Sequence, residues 1–160
     1  MDAIVMAAST RVTRASERPF QLLDLSEAAT DYATTAGVGD GVLHAYCPHT
    51  SCGLAITELE DGLHEDVERV LEQLAPVAGP WSHDDMTRRH QNIEPDERRN
   101  GWSHVRALLT TQASVCVPIA AGQVGLGRWQ RLFLVELDGP RTARTVVLQA
   151  WGRPVARPRD

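Results

Sequence analysis

Residues 128–151, RWQRLFLVELDGPRTARTVVLQAW, decide the fold class of this chain. Their apolar and β-branched residues predict a long strand over 128–137 and a second strand over 142–151. Asp138-Gly139, which lies between them, is typical of the two-residue turn of a β-hairpin. The C-terminal third is therefore predicted to be antiparallel, with the second strand returning along the first.

The rest of the chain is predicted to contain both strands and helices. Apolar patterning places strands at 3–14, 19–25, 41–47, 53–57 and 114–119, with a turn at 39–41. It places helices at 26–36, 61–75 and 103–110, with Ser26 as the N-cap of the first helix and Gly37 just past its end. The apolar stripe of the second helix is Leu63, Val67, Val70, Leu71 and Leu74. These elements predict a compact α+β fold, mostly antiparallel sheet with two to three helices, in one domain over residues 1–160.

Composition narrows the possible partners and compartments. The formal net charge of −5 over 160 residues argues against nucleic acid as the main partner. Cys47, Cys52 and Cys116 have no CxxC spacing, so buried free thiols in a reducing compartment are predicted in place of a disulfide framework or a thiolate zinc site. The sequence shows neither a signal peptide nor an apolar run of about 18 residues, and a cytoplasmic protein without a membrane segment is expected.

Two short segments carry polar groups suited to a site. Pro48-His49-Thr50-Ser51 follows a predicted strand, and its imidazole and hydroxyls can bind an anion. The alternative is a strand-end turn with local hydroxyl-to-backbone hydrogen bonds. Glu58 and Asp61 can act as acid and base or help to hold a cation. For Asp61 the alternative, an acid at a helix N-terminus, is strong.

Two further histidines lie in or next to an unusual polar stretch at 79–100, which contains four arginines and almost no aliphatic residues. His83 and His104 are candidate metal ligands or proton carriers, although scattered histidines are more often surface residues. A long loop of this kind is either functional or disordered. Downstream, the glycines at 122–127 lack the context of a phosphate-binding loop, and they precede Trp129 and Gln130, which can line a pocket.

Taken in order, these residues resemble the YjbQ family. The matching set is His49-Thr50-Ser51, Glu58, Asp61, Asp66, Pro76, Trp81-Ser82-His83, Ser103-His104, Pro118, Gly125-Leu126-Gly127-Arg128-Trp129-Gln130, Glu136, Asp138-Gly139-Pro140-Arg141 and Arg144. The resemblance covers about residues 10–152, and its specificity lies in the order of the set. The family usually has Asp-Asn-Met-Pro where this chain has Arg99-Asn100-Gly101-Trp102, and Asn at Thr57. The missing acid would weaken a metal site unless Asp84, Asp85 or Asp96 replaces it.

The resemblance implies a compact α+β homotrimer and a secondary thiamine-phosphate synthase activity. That reaction couples a pyrimidine pyrophosphate to thiazole phosphate at a site of histidines and acids with a divalent metal, Mg or Zn. The implied roles are catalytic for His49, Glu58 and His104, metal-binding for His49, His83 and His104, phosphate-binding for Thr50, Ser51 and Arg144, and pocket-lining for Asp61, Trp129 and Gln130. The expected partners are a small phosphorylated metabolite and two further copies of the chain.

Two other functions suit the same residues. One is a non-catalytic trimeric protein that binds a metal or a phosphorylated metabolite, and it is favoured by the altered residues at 99–102. The other is a promiscuous metal-assisted phosphoester hydrolase. In a trimer the three histidines need not all come from one chain.

Overall fold

Nine β-strands and three α-helices make up the part of the chain that the computed structural model describes, residues 4–156. The strands are β1 (Val5–Met6), β2 (Thr10–Ser16), β3 (Gln21–Asp24), β4 (Val38–Tyr46), β5 (Cys52–Glu58), β6 (Ser114–Ala120), β7 (Gln123–Val124), β8 (Gln130–Glu136) and β9 (Arg141–Pro154). The helices are α1 (Ser26–Ala36), α2 (Asp61–Leu74) and α3 (Gly101–Thr110), with a 3₁₀ turn at Ser82–Asp84.

The strands form two antiparallel sheets. The first has the order β1-β9-β4-β6-β7, with β2 also paired to β9, and the second has the order β3-β8-β5. The 14 residues of β9 make it long enough to pair with β1 and β2 along one edge and with β4 along the other. The predicted α+β fold with mostly antiparallel sheet and three helices is therefore confirmed.

The predicted hairpin at Asp138-Gly139 is wrong. The strands on either side of it, β8 and β9, lie in different sheets, so the chain crosses from one sheet to the other at this point. The physical reason is Pro140, because it lacks the backbone N–H that closes a two-residue hairpin turn. Asp138 is also buried, and its carboxylate binds other side chains.

The strand β8 is buried on both faces, which explains its unbroken apolar run. Leu132 and Leu134 pack in a core between the two sheets and α1, together with Ala29 and Ala33. Phe133 and Val135 point to the opposite side, where they pack with residues of α2 and α3: Leu71 and Ala107. Alternation along one strand thus joins two separate apolar clusters.

Three local predictions in the N-terminal half need correction. Ser26 is the first residue of α1 and caps nothing, because its hydroxyl accepts the N–H of Leu132 across to β8. The predicted turn at 39–41 lies inside β4, whose glycines allow close approach to the backbone of β9. The single predicted strand at 3–14 is divided into β1 and β2, and residue 3 lies outside the described residues.

The helix faces also differ from the predicted stripes. In α2, Leu71 is 1% exposed whereas Leu74, in the same predicted stripe, is 63% exposed. In α3, Leu108 is 86% exposed, and the helix buries Trp102, Ser103 and Arg106 instead. No helix among the described residues combines the length and apolar character needed to cross a membrane.

Candidate functional site

The turn at residues 48–51 leads the chain from β4 in the first sheet to β5 in the second. The His49 ring is fixed by Thr145 of β9, whose N–H donates to Nε2 at 3.0 Å. Burial, followed by the charge of Arg144, lowers the pKa of His49 below its ordinary 6.5. This histidine is therefore a neutral acceptor near pH 7, bound to the backbone of the first sheet.

His83 and His104, two of the three histidines that the resemblance groups in one site, lie next to each other. Their ring centroids are 4.6 Å apart, and His104 Nδ1 lies 3.1 Å from the carbonyl oxygen of Thr50. The 3₁₀ turn that carries His83 is tied to the start of α3 by Asp84, whose Oδ1 accepts the N–H of Asn100 and of Gly101. Burial, followed by the charge of His83, lowers the pKa of His104. The pair thus consists of two half-buried imidazoles in contact, and burial favours the neutral form of His104.

An ion pair that the sequence analysis missed holds the His83 side of this site. Arg89 Nη1 donates to Glu97 Oε1 at 2.6 Å, and this hydrogen bond lowers the pKa of Glu97. His83 Nε2 lies 3.4 Å from the same carboxylate oxygen and 3.3 Å from Arg89 Nη1. The only sequence feature that pointed to Arg89 was the density of arginines at 79–100.

Each histidine of the pair lines a separate cavity, and the two cavities have opposite character. His83 opens onto a polar cavity of about 440 Å³ lined by Ser82, His83, Arg88, Arg89, Gln91 and Asn92. His104 opens onto a mostly apolar cavity of about 370 Å³ lined by His49, Thr50, Cys52, His104, Ala107, Leu108, Thr111 and Ala113. One side of the pair is therefore suited to an anionic group, and the other to an apolar ring.

Ser51 and Arg144 belong to a buried polar network behind the turn. Arg144 forms a bidentate ion pair with Glu136, with Nε–Oε2 at 2.6 Å and Nη2–Oε1 at 2.8 Å. Its Nη2 also donates to Ser51 Oγ at 3.0 Å, and Ser51 in turn donates to Asp138 at 3.3 Å. Glu136 is fully buried, so the positive charge of Arg144 is matched within the core. Arg144 and Ser51 hold the turn in place from behind, and their polar groups are already engaged.

Asp138 links this network to the segment that departs from the family pattern. Its carboxylate accepts the Asn100 side-chain N–H at 3.0 Å and also pairs with Arg141. Asn100 Oδ1 and Arg141 Nε are buried and have no hydrogen-bond partner among the described residues. Arg99 itself is exposed and lines an open cavity of about 800 Å³ with Trp81. The acid expected at position 99 is thus replaced by a cation that faces away from the network.

The other predicted site residues lie elsewhere in the chain. Glu58 is the last residue of β5 and pairs with Gln130, whereas the turn precedes the first residue, Cys52. Six residues of strand separate these ends by about 20 Å. Trp129 is 62% exposed and stacks under the Arg128 guanidinium, so it covers no pocket here. Within one chain, Glu58, Asp61, Trp129 and Gln130 form a group apart from the histidines.

The three histidines do not make a complete metal site within one chain. Among residues 4–156, no three His, Cys, Asp or Glu side chains are placed to hold a common metal ion. The Nε2 lone pair of His49, which a metal would need, already accepts the Thr145 N–H. Asp84 and Asp85, two candidate replacements for the missing acid, bind backbone N–H groups instead. The predicted His49–His83–His104 metal triad therefore does not fit a metal in this arrangement.

Two of the three thiols lie at the ends of the turn. Cys47 and Cys52 are both buried, with their Sγ atoms 3.6 Å apart. The thiol–thiol contact lowers the pKa of Cys47, and the same contact together with burial raises the pKa of Cys52. The expectation of buried free thiols is confirmed for this pair and wrong for Cys116, which is exposed on β6.

Comparison with known proteins identifies one family of proteins that this chain resembles. Residues 10–153 match the family described as UPF0047 protein YjbQ-like. A UPF0047 protein of Archaeoglobus fulgidus is 38% identical over 108 residues, 68% of this chain and 76% of its own length. A second, from Methanothermobacter thermautotrophicus, is 32% identical over 139 residues, 87% of this chain and 88% of its own. A YbjQ-like protein of unknown function from Sulfolobus solfataricus has the same fold, with a TM-score of 0.82 at 23% identity, over 94% of this chain and all of that one.

Proposed function

This chain belongs to the YjbQ-like UPF0047 family, and from that premise we propose that it binds a small phosphorylated metabolite at His83 and His104 and in the two cavities that they line. The observation that carries the proposal is the histidine pair itself, with ring centroids 4.6 Å apart and a polar cavity on one side and an apolar one on the other. A ligand with a phosphate at one end and a heterocycle at the other matches this division.

Charge supports placing the phosphate in the polar cavity. Arg88 is exposed there, and its guanidinium makes no hydrogen bond among the described residues. Arg89 is already paired with Glu97, so Arg88 is the cation available to an incoming anion. The heterocycle would then lie against His104 and reach Thr50 and Ala107 in the apolar cavity.

Calorimetric titration with inorganic pyrophosphate tests the binding step. We expect Arg88→Ala to weaken pyrophosphate binding at least about tenfold, since a hydrogen bond to a charged group contributes about 1.5–3 kcal/mol. Arg11→Ala is the matched control, because it removes an exposed arginine of β2, outside both cavities. Equal affinities for the two variants, or no binding to the unaltered protein, would refute the proposed site.

The reaction that we propose for this site is secondary thiamine-phosphate synthesis. The thiazole nitrogen forms a bond to the methylene carbon of the pyrimidine, the C–O bond to pyrophosphate breaks, and pyrophosphate leaves with the electron pair. No proton is transferred in the net reaction, so the main requirement is to stabilise charge on the departing pyrophosphate. Arg88 supplies a positive group on the side where it departs, His83 lines the same cavity, and His104 contacts the ring side.

Product formation tests the reaction separately from binding. The protein is mixed with the two thiamine precursors, with and without Mg²⁺, and thiamine phosphate is measured by chromatography. His83→Ala and His104→Ala are expected to abolish the product, and Arg11→Ala to leave it unchanged. If the unaltered protein makes no more thiamine phosphate than His83→Ala, the transferase proposal fails while the binding proposal stands.

A non-catalytic binding protein is the second candidate. It is favoured by the separation of Glu58 from the histidines and by the engagement of Arg144 with Glu136. Pyrophosphate binding without thiamine phosphate or phosphate release would support it. Release of inorganic phosphate from simple phosphoesters would instead support a promiscuous hydrolase.

We also propose that the site is completed in a homotrimer. The exposed apolar side chain of Leu108 borders the cavity next to His104, and Leu109 beside it is 60% exposed. Large exposed apolar groups of this kind mark interaction surfaces. A neighbouring chain that packs on α3 can bring its own Glu58, Trp129 and Gln130 to the histidines.

A further inference from the structure

We propose that Cys47 and Cys52 form a reversible intramolecular disulfide when the protein meets a hydroperoxide, which makes the ends of the His49 turn a redox modification site. The sulfur atoms are already 3.6 Å apart, and each belongs to a cysteine free of other covalent bonds. This inference is independent of the proposed metabolite and of any metal.

The positions of the two thiols favour a bond within the chain over any other product. Cys47 follows β4 of the first sheet, and Cys52 is the first residue of β5 in the second. A disulfide needs the sulfurs about 2.05 Å apart. The sulfurs are already in contact at 3.6 Å, so a shift of about 1.5 Å would bring them to that distance. Because both thiols are buried, at 1% and 3% exposure, bonding to another protein chain is blocked.

A small oxidant nevertheless has a route to this pair. Cys52 lines the apolar cavity of about 370 Å³ that opens between His49 and His104. Hydrogen peroxide is only slightly larger than a water molecule and fits such a space.

The chemistry proceeds in two balanced steps. One thiol attacks the peroxide, the O–O bond breaks, and a sulfenic acid and one water are formed. The second thiol then attacks the sulfenic sulfur, which forms the S–S bond and releases a second water. In total, two thiols and one hydrogen peroxide give one disulfide and two waters, with the cysteines oxidised and the peroxide reduced. A dithiol reductant reverses the change by thiol–disulfide exchange.

Such a bond would affect the candidate site directly. The closed loop contains residues 48–51, the whole turn that carries His49, Thr50 and Ser51. Both ends of the loop are also held by backbone hydrogen bonds, Cys47 N–H to Ala113 and the pairing of Cys52 with Glu136. Oxidation would therefore fix the turn between the two sheets.

Mass spectrometry of the peroxide-treated protein tests the proposal. The sample is treated under native conditions, unfolded in acid, alkylated in denaturant and digested with trypsin. Cys47 and Cys52 fall in one peptide, residues 15–69, because trypsin does not cut at Arg18-Pro19, and Cys116 falls in residues 107–128. We expect the first peptide to lack two hydrogens and to resist alkylation, and to gain two alkyl groups after reduction with a dithiol.

The exposed Cys116 provides an internal standard for oxidant strength. Cys116→Ser should give the same 47–52 disulfide, and Cys52→Ser should give none. If both thiols of the 15–69 peptide remain open to alkylation when Cys116 is fully oxidised, the proposal is wrong. It is equally wrong if the products are chain-to-chain disulfides or if Cys47 and Cys52 oxidise separately to sulfinic acids. The unaltered protein alone decides between these results, even if a variant fails to fold.

Discussion

At the scale of single residues, Arg144 and Glu136 join the turn at 48–51 to the segment at 137–141, where the chain passes from β8 to β9. Burial opposes the ionisation of Glu136, but hydrogen bonds from Arg144 and from the Asp138 backbone outweigh it and hold its pKa below the ordinary value. Removing one member of a buried pair leaves an uncompensated charge, which costs about 3–5 kcal/mol. We expect Glu136→Ala to lower the free energy of unfolding by about that amount, measured by urea denaturation.

The Arg18–Glu68 pair offers a control on the surface. Its atoms are 3.3 Å apart and its side chains are about half exposed. Exposed pairs contribute less than about 1 kcal/mol, so Glu68→Ala should have little effect. Similar losses for Glu136→Ala and Glu68→Ala would contradict the assignment of the buried network as the support of the turn.

His49 gives the fold a defined sensitivity to acid. Its Nε2 accepts the Thr145 N–H, so protonation of Nε2 would set two donors against each other. Because the folded pKa is lower than 6.5, the unfolded chain binds the proton more readily. Stability should be constant above pH 6.5 and should fall as the pH drops below it. Urea unfolding at several pH values checks this, and His49→Ala, although less stable throughout, should lose less on acidification. Identical pH dependence in the two proteins would contradict it.

The residues of the site were predictable in part. Resemblance selected His49, Thr50, His83 and His104, of which His49, Thr50 and His104 line one cavity and His83 contacts His104. It could not show that Arg144 is occupied by Glu136, because a bidentate pair depends on the meeting of β8 and β9 side chains in the core. Arg88 and Arg89 were missed because their loop has no periodic pattern, and a cavity there forms only when the 3₁₀ turn binds α3.

At the scale of elements, strands and helices with clear patterns were predicted well, and their partners were not. Local sequence specifies the strand at 128–137, since its apolar run is continuous. Whether the strand at 142–151 pairs with this strand depends on the missing backbone N–H of Pro140. It also depends on the buried carboxylates near the end of the first strand. The buried faces of the helices were predicted wrongly for a similar reason. An apolar stripe defined by spacing does not show how far a helix extends past the sheet that it covers.

The helix α2 provides a test of this limit. Leu71 and Leu74 lie in one predicted stripe, yet only Leu71 reaches the core, where it packs with Phe133. Leu71→Ala should cost about 2–5 kcal/mol of unfolding free energy, as for a buried leucine. Leu74→Ala removes the same atoms from an exposed position and should change stability by less than about 0.5 kcal/mol. Comparable losses in thermal or urea unfolding would show that the stripe is buried along its full length.

At the scale of the whole molecule, the chain passes between the two sheets repeatedly, and two of these crossings lie at residues 47–52 and 137–141. Ser51, from the first crossing, donates to Asp138, from the second, so the two crossings lie side by side. The candidate site is built at this junction, and Glu58 is left at the far end of β5. No local pattern in the sequence shows how strands divide between two sheets, which is why the predicted site combined residues from both ends.

The separation of Glu58 from the histidines leads to a final prediction about assembly. If a homotrimer brings Glu58 of one chain to His104 of the next, light scattering should give about three times the 17.6 kDa chain mass. His104→Ala and Glu58→Ala proteins should each fail to form thiamine phosphate. When the two are unfolded together and refolded as mixed trimers, about one quarter of the sites should pair an intact His104 with an intact neighbouring Glu58. We therefore expect about one quarter of the unaltered activity to return. Mixed trimers that are verified by native mass spectrometry and remain inactive would exclude a shared site, and a monomeric mass would exclude it before any assay.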